Sequence, residues 1–215
     1  MPRSRPPLTR DKILETALTI VDTQGLAGLS MRKLAAELQV EAMSLYNHVK
    51  DKDDLLNGLT NLVLSRIAQP TEQLAWPKML EYFAVSLYQA FLEHPALVTV
   101  LESSQPASLR VLQGMERVLL ALKESGLSPR EQVSAFRGLV AMCLGFVLAH
   151  TQGLTSSKLK TEAHWAQWDG QHFTNSHLPQ LVELAPYFQE THADEDFRFM
   201  LRAYLQALQV KSAAG

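Results

Sequence analysis

Residues 43–56 read Met-Ser-Leu-Tyr-Asn-His-Val-Lys-Asp-Lys-Asp-Asp-Leu-Leu, MSLYNHVKDKDDLL. An aromatic ring, an amide and an imidazole stand in a row, two lysines follow, and an apolar helical rhythm begins. Upstream, Ser30 caps a short helix with Met31, Leu34, Ala35 and Leu38 on its inner side. A break near Gln39-Val40-Glu41 leads into a third short helix from about Ala42 to Val49. Two short helices joined by a tight turn, after a longer first helix, make a helix-turn-helix unit. Close crossing of the pair needs a small residue on the first helix, and Ala35 supplies it. Leu45 then points back into the core beside Leu34 and Val40.

The other face of the third helix carries Ala42, Met43, Ser44, Tyr46, Asn47 and His48. A recognition helix needs short polar groups and planar donors or acceptors that meet base edges and phosphates. Asn47 suits a base edge or phosphate, Ser44 and Met43 thymine methyls or backbone, and Tyr46 and His48 phosphate oxygens. Lys50 and Lys52 would neutralise the flanking backbone, with Arg32 and Lys33 gripping it from the second helix. Singly, each residue has a plainer reading: Tyr46 closing a small core, Asn47 a surface amide, His48 a surface histidine, the lysines a solvated face. Their convergence on one helix face favours DNA.

The run Ser30–Leu56, and above all Leu45-Tyr46-Asn47-His48-Val49-Lys50-Asp51-Lys52, resembles the DNA-binding signature of the tetracycline-repressor (TetR) family. The resemblance covers residues 9–67 and implies DNA contacts at Arg32, Ser44, Tyr46, Asn47, His48 and Lys52. Gln39 departs from it, because the turn usually has glycine there. A non-glycine residue either accepts a left-handed backbone at some cost or alters the turn.

Outward from this unit the chain reads as helical throughout. Thr9 caps a first helix with Ile13, Leu14, Ala17, Leu18 and Val21 inward, ended by Gly25. Asp51 caps a fourth helix running to about residue 68 before Pro70, with Asp51 and Asp54 at its positive end. Further helices are expected at 77–93, 96–103, 107–124, 129–150, 178–190 and 195–210. Ser128-Pro129-Arg130-Glu131 forms a capping box. Residues 151–177, with Trp165 and Trp168, read as a long loop. The expected fold is all-α: a three-helix DNA-binding unit over 1–67, preceded by a basic arm at 1–8, and a larger bundle over 68–215.

The 215 residues carry 20 Lys/Arg and 22 Asp/Glu, a net charge of −2, which argues against indiscriminate coating of nucleic acid. Residues 1–67 hold nine Lys/Arg against eight Asp/Glu, and Arg3, Arg5, Arg10 and Lys12 lead the chain. Such an arm lies along phosphates or serves as a solubilising tail. The longest uninterrupted apolar runs fall short of a membrane span. No export signal is evident and one cysteine, Cys143, sits in an apolar run, so a cytoplasmic protein without membrane attachment is expected.

The family resemblance, weaker beyond residue 68, rests there on Trp76, Phe91, His94, the Gly126–Ser128 turn and Leu144-Gly145. It implies a homodimer joined by the last two long helices, a small-molecule effector, and double-stranded operator DNA as partner. Interface residues would be Gly138, Ala141, Gly145 and Ala149, with Phe197, Met200, Leu201, Tyr204, Leu205 and Leu208. A face that wide on a terminal helix is core or interface, and the sequence does not separate them. The pocket would be lined by Leu64, Ala68, Phe83, Leu87, Leu101, Ser104, Met115, Val118, Val140 and Phe146. Where tetracycline repressors hold magnesium–tetracycline with histidines and a carboxylate, ungapped alignment puts Ala68, Leu101, Ala141 and Ala149. Alanines and leucine offer magnesium no oxygen ligands, so an apolar or aromatic effector without metal or cofactor is expected. The resemblance also implies that the helix at 51–68 carries an effector's preference for one state to the DNA-binding unit.

An enzyme is the weaker alternative. His164, His172, His177, His192 and Asp169 lack metal-site spacing, and there is no nucleophile elbow, phosphate loop or paired-carboxylate motif. A second alternative is a helix-turn-helix regulator gated by a protein partner, with Trp165 and Trp168 as the contact surface rather than a lid.

Overall fold

The structure is a computed structural model that describes residues 7–101, 108–152, 179–184, 187 and 192–214. Among the described residues every regular element is helical. In chain order these are α1 (Arg10–Gly28), α2 (Met31–Leu38), α3 (Ala42–Leu45), α4 (Lys52–Arg66), α5 (Trp76–Glu93), a 3-10 turn (Pro95–Leu97), α6 (Val98–Leu101), α7 (Leu109–Glu124), α8 (Pro129–Gln152), α9 (Pro179–Leu184) and α10 (Ala193–Ala214). They form two packed units, residues 1–71 with 89–117 and residues 72–88 with 118–215. This division follows packing, whereas the sequence division at 67/68 separates roles.

Local chemistry places the first four helices. Thr9 accepts from the Lys12 amide, Ser30 from the Lys33 amide and Asp51 from the Asp54 amide, each satisfying a donor the helix start leaves free. The rhythm of α1 breaks at Gly25, whose φ of 69° and ψ of 176° lie outside the helical region, before a last turn to Gly28. Gln39 adopts φ 54°, ψ 46°, so the left-handed alternative holds at the turn. Val40 N–H donates to Ala35 O at 2.9 Å and Gln39 N–H to Ala36 O at 3.1 Å, the pair of bonds that closes a helix through a left-handed residue. Against glycine, the left-handed backbone costs about 1 kcal/mol.

Several boundaries differ from the sequence reading, among them α10, which runs Ala193–Ala214 rather than 195–210. α3 ends at Leu45, and the chain continues through a turn in which the His48 and Val49 amides both donate to Leu45 O, at 2.9 and 3.0 Å. The α-helical pattern gives way here to i→i−3 bonds, Tyr46 N–H to Met43 O at 3.2 Å and His48 N–H to Leu45 O, and beyond the turn Lys50 N–H is taken by the Asp54 carboxylate at 2.9 Å. α4 ends at Arg66, ahead of Pro70, and the 96–103 element is a 3-10 turn followed by one turn of α-helix. The 151–177 loop, apart from the last turn of α8 at Thr151 and Gln152, lies outside the described residues, with Trp165, Trp168, His164, His172, His177 and Asp169.

In the first unit, Ile13, Ala17, Leu34, Leu45, Leu55 and Leu59 are buried in one core. α1 packs on α2, α4 and the 3-10 turn, and α2 on α3. At the α1–α4 crossing, a Cβ added at Gly58 would come within 2.6 Å of Leu14 Cδ2, so a larger residue there requires the Leu14 side chain to move. His94 Nδ1 meets both Asp22 carboxylate oxygens at 2.9 and 3.0 Å, tying the segment before the 3-10 turn to α1.

The second unit is organised by α8 and α10. Phe197 stacks on Tyr88 with centroids 4.1 Å apart and receives the Phe146 ring edge-on at 5.7 Å. The Tyr88 hydroxyl donates to Asp194 Oδ1 at 3.0 Å and lies 3.2 Å from His150 Nδ1, and burial and the carboxylate push its pKa upward. Tyr204 donates to Ala135 O at 2.5 Å, and Lys211 pairs with Glu131. The carboxylate half of the expected capping box forms: the Ser128 amide donates to Glu131 Oε2 at 3.0 Å, and the Ser128 hydroxyl donates to the same oxygen at 2.8 Å. Cys143 is buried, its thiol pushed up to about 12 by burial, which leaves it protonated and unreactive at neutral pH.

Over Pro129–Thr151, α8 reaches a mean hydropathy of 1.7 across 18 residues, long and apolar enough by composition to cross a bilayer. Counting uninterrupted apolar runs misses this because Arg137 interrupts the run without removing its apolar average. Of that stretch 17% is fully buried, most of the rest is partly covered, and Gly138, Ala141 and Gly145 form an exposed strip along one side.

Candidate nucleic-acid interface

Residues 42–52 are organised by two buried anchors, Leu45 and Val49, which pin the segment to α1 and α2 from one side. The opposite side faces solvent. Met43 is 73% exposed and Tyr46 46%, so the Tyr46 ring does not close the core. Ala42, Asn47, Lys50, Lys52 and Arg32 are exposed, and Ser44, His48 and Lys33 partly so. The Lys33 ammonium pairs with Gln24 Oε1, while its backbone amide meets the Ser30 cap. All ten residues expected at the DNA are therefore accessible, and none is consumed by packing.

The turn that carries His48, Lys50 and Lys52 is held from behind by one arginine the sequence reading placed only in the basic arm's charge. Arg10 Nη1 donates to His48 O at 2.6 Å and to Asp54 Oδ2 at 3.1 Å, and Arg10 Nη2 to Asp54 Oδ1 at 2.7 Å. The signal that could have found it is a basic residue in the first turn of α1 with a carboxylate at the third position of α4. The Arg10 hydrogen bonds hold the Asp54 carboxyl below the usual carboxylate range, with the Lys50 amide adding to them and partial burial opposing. Arg10 is raised in turn by the same hydrogen bonds. A lowered folded value means the contribution is complete above the unfolded pKa of about 3.9 and is lost as pH falls through the folded value. The stability gap between the wild type and Asp54→Asn is thus expected to be constant above about pH 5 and to close on acidification, which urea midpoints measured from pH 6 to pH 3 would check.

The residues expected at an effector pocket are distributed over both units. Leu64, Ala68, Leu101 and Met115 belong to the first unit and Phe83, Leu87, Val118, Val140 and Phe146 to the second. Ser104 lies outside the described residues. Ala68 is exposed, while Leu87 and Val118 are buried in their own unit's core. A cavity of about 400 Å³ in the first unit has other walls, among them Arg10, Leu14, Asp54, Asn57, Asn61 and Ser65 between α1 and α4. No apolar periodicity marks such a site, because it forms where two helices diverge from a crossing.

The interface residues of the last two long helices divide cleanly. Phe197 and Leu201 are buried inside their own chain, at 2% and 3% exposure, and are corrected here to core, because the Tyr88 and Phe146 rings already cover Phe197. Gly138, Ala141, Gly145 and Met200 are exposed, and Ala149, Tyr204, Leu205 and Leu208 partly so. Val133, Phe199 and Val210 join this exposed apolar set and were missed. Among the described residues, a Cβ at Gly145 would meet nothing within 4 Å, and one at Gly138 only the Tyr204 ring at 3.8 Å. The packing of the described residues therefore does not require glycine at either place.

The comparisons with known proteins agree with this geometry. Residues 13–59 match the model of bacterial regulatory proteins of the tetR family, and residues 69–211 match that of the tetracyclin repressor-like C-terminal domain. The chain is 37% identical over 150 residues to the HTH-type transcriptional repressor DrrR1 of Streptomyces coeruleorubidus, covering 67% of this chain and 53% of that one. It thus spans about half the length of that relative. The tetracycline repressor protein class E of Escherichia coli is 29% identical over 203 residues, covering 92% of this chain and 89% of the repressor. Among solved structures, apo ActR from Streptomyces coelicolor superposes with a TM-score of 0.81 at 28% identity, covering 98% of this chain and 99% of ActR.

Proposed function

The chain belongs to the TetR family of bacterial transcriptional regulators, and from that premise we propose that it is a cytoplasmic repressor that binds a palindromic operator as a homodimer and is released by a small apolar or aromatic effector. Residues 1–67 are the DNA-binding part and residues 68–215 the effector-binding and dimerisation part. The observation that carries the reading is the segment 42–52, whose apolar residues Leu45 and Val49 are buried while every polar residue the resemblance assigns to DNA is accessible.

Dimerisation is supported by α8 and α10. α8 exposes Gly138, Ala141 and Gly145, and α10 exposes Phe199, Met200 and Val210. Glycine inside a helix costs about 1 kcal/mol against alanine, so two glycines with room beside them suit a second helix that approaches closely. In such a dimer the two recognition segments would enter successive major grooves, roughly 34 Å apart. The effector reading is supported by ActR, whose structure is known in complex with actinorhodin and with (S)-DNPA. The non-polar side chains at Ala68, Leu101, Ala141 and Ala149 favour a ligand held without magnesium.

The test is fluorescence anisotropy of a duplex taken from the DNA flanking the protein's own gene, across a salt series with competitor DNA. Tight binding that survives competitor is expected. Lys52→Ala is expected to lower the slope of log affinity against log salt by about one. Tyr46→Ala is expected to cost about 1.5–3 kcal/mol, the size of one hydrogen bond to a charged phosphate. Weak binding untouched by either substitution would sink the assignment of residues 42–52 to DNA.

A further inference from the structure

Arg10 is not among the ten residues expected at the DNA, yet its guanidinium joins α1 to the turn after α3 and to α4. It reaches the last carbonyl of the α3 turn, His48 O, and both carboxylate oxygens of Asp54 in the first turn of α4. Asp54 Oδ2 also accepts the Lys50 amide at 2.9 Å, and the Asp54 amide is capped by Asp51 at 2.8 Å. The backbone from 48 to 51 is thereby fixed at a carbonyl and an amide by a single ion pair. That segment carries His48 and Lys50 and leads into Lys52, and among residues 48–51 the one buried side chain is Val49.

We propose that Arg10 and Asp54 are positioning residues for DNA recognition: the pair sets the exit of the recognition helix and so the placement of His48, Lys50 and Lys52 on the phosphates. The inference rests on the reading of residues 42–52 as the DNA-binding surface. The planar fork matters as much as the charge. Two parallel N–H groups meet two carboxylate oxygens while one of them also reaches a carbonyl, a geometry an ammonium does not reproduce. An asparagine at position 54 offers one acceptor oxygen where the carboxylate uses two.

The sign of the Asp54→Asn effect separates positioning from charge. On charge alone, removing an anion beside the phosphates tightens DNA binding. If the pair positions the turn, Asp54→Asn binds operator about tenfold more weakly although a negative charge has gone, and Arg10→Lys does the same although its charge is kept. A second measurement on the full-length protein needs no DNA: amide hydrogen exchange. Val49 and Lys50 are expected to exchange at least about fivefold faster in both variants, with the amides of Leu18 in α1 and Leu34 in α2 unchanged.

Tighter or unchanged DNA binding by Asp54→Asn, with exchange at Val49 and Lys50 also unchanged, overturns the proposal. Equal acceleration at Leu18, Leu34 and Lys50 overturns it as well, since the pair would then hold the unit as a whole. If the wild type itself fails to prefer its own flanking DNA, the functional reading falls, while the exchange data still decide whether Arg10 and Asp54 hold the turn.

Discussion

Replacing Phe197 with alanine is expected to destabilise the protein by about 3–5 kcal/mol, the cost of emptying a fully buried aromatic site. Phe197 is 2% exposed, stacked on Tyr88 at 4.1 Å and met edge-on by Phe146 at 5.7 Å. Removing the ring forfeits its burial, both aromatic contacts and the lid over the Tyr88 ring. The loss should also loosen the Tyr88–Asp194 hydrogen bond that ties α5 to the start of α10. Phe197→Leu keeps most of the volume and is expected to cost about 1.5 kcal/mol. Urea denaturation at a fixed protein concentration reads both, since association shifts the apparent stability of any dimer. A cost below about 1 kcal/mol for the alanine variant would place Phe197 at a surface that collapses easily, contrary to its burial.

The second large effect is on assembly. Ala141 lies on the exposed face of α8, one turn from Gly138 and from Gly145. In the proposed dimer an arginine there would be buried against the partner's helices with no carboxylate to meet it. Burying an unpaired charge costs about 3–5 kcal/mol, so Ala141→Arg should raise the dimer dissociation constant by at least about a hundredfold. In the isolated chain the same side chain points to solvent and should leave the fold intact. Analytical ultracentrifugation across protein concentration distinguishes the two states, with circular dichroism as the control for folding. Gly145→Ala offers a finer check: it should favour the helix by about 1 kcal/mol yet weaken association. A wild-type dimer unmoved by Ala141→Arg would mean that α8 does not form the interface.

Much of the first unit was legible because its signals are local. Ser30 and Asp51 cap the helices they were expected to cap, and Leu34, Ala35 and Leu45 are buried as their spacing requires. The outward face of residues 42–48 follows from the same periodicity, since anchoring Leu45 inward leaves Met43, Tyr46 and Asn47 facing solvent. Even the unusual Gln39 was restricted to two outcomes by backbone sterics, and the left-handed one is observed.

What the tertiary structure alone decided concerns pairs distant in sequence. The turn after α3 is closed by Asp54, nine residues beyond Leu45, which takes the Lys50 amide. Arg10 became a clamp rather than part of a charged arm because α1 and α4 cross at Gly58 and bring it to Asp54, 44 residues away. Periodicity made α10 apolar but could not divide its face. Phe197 and Leu201 went to the core because Tyr88 and Phe146 meet the α10 side they occupy, while Phe199 and Val210 remained outside. Caps, turns and helix faces are set by neighbours within four residues, and so the sequence by itself determined them. Ion pairs and the choice between core and interface depend on which helix faces arrive together, and only the folded chain decides that.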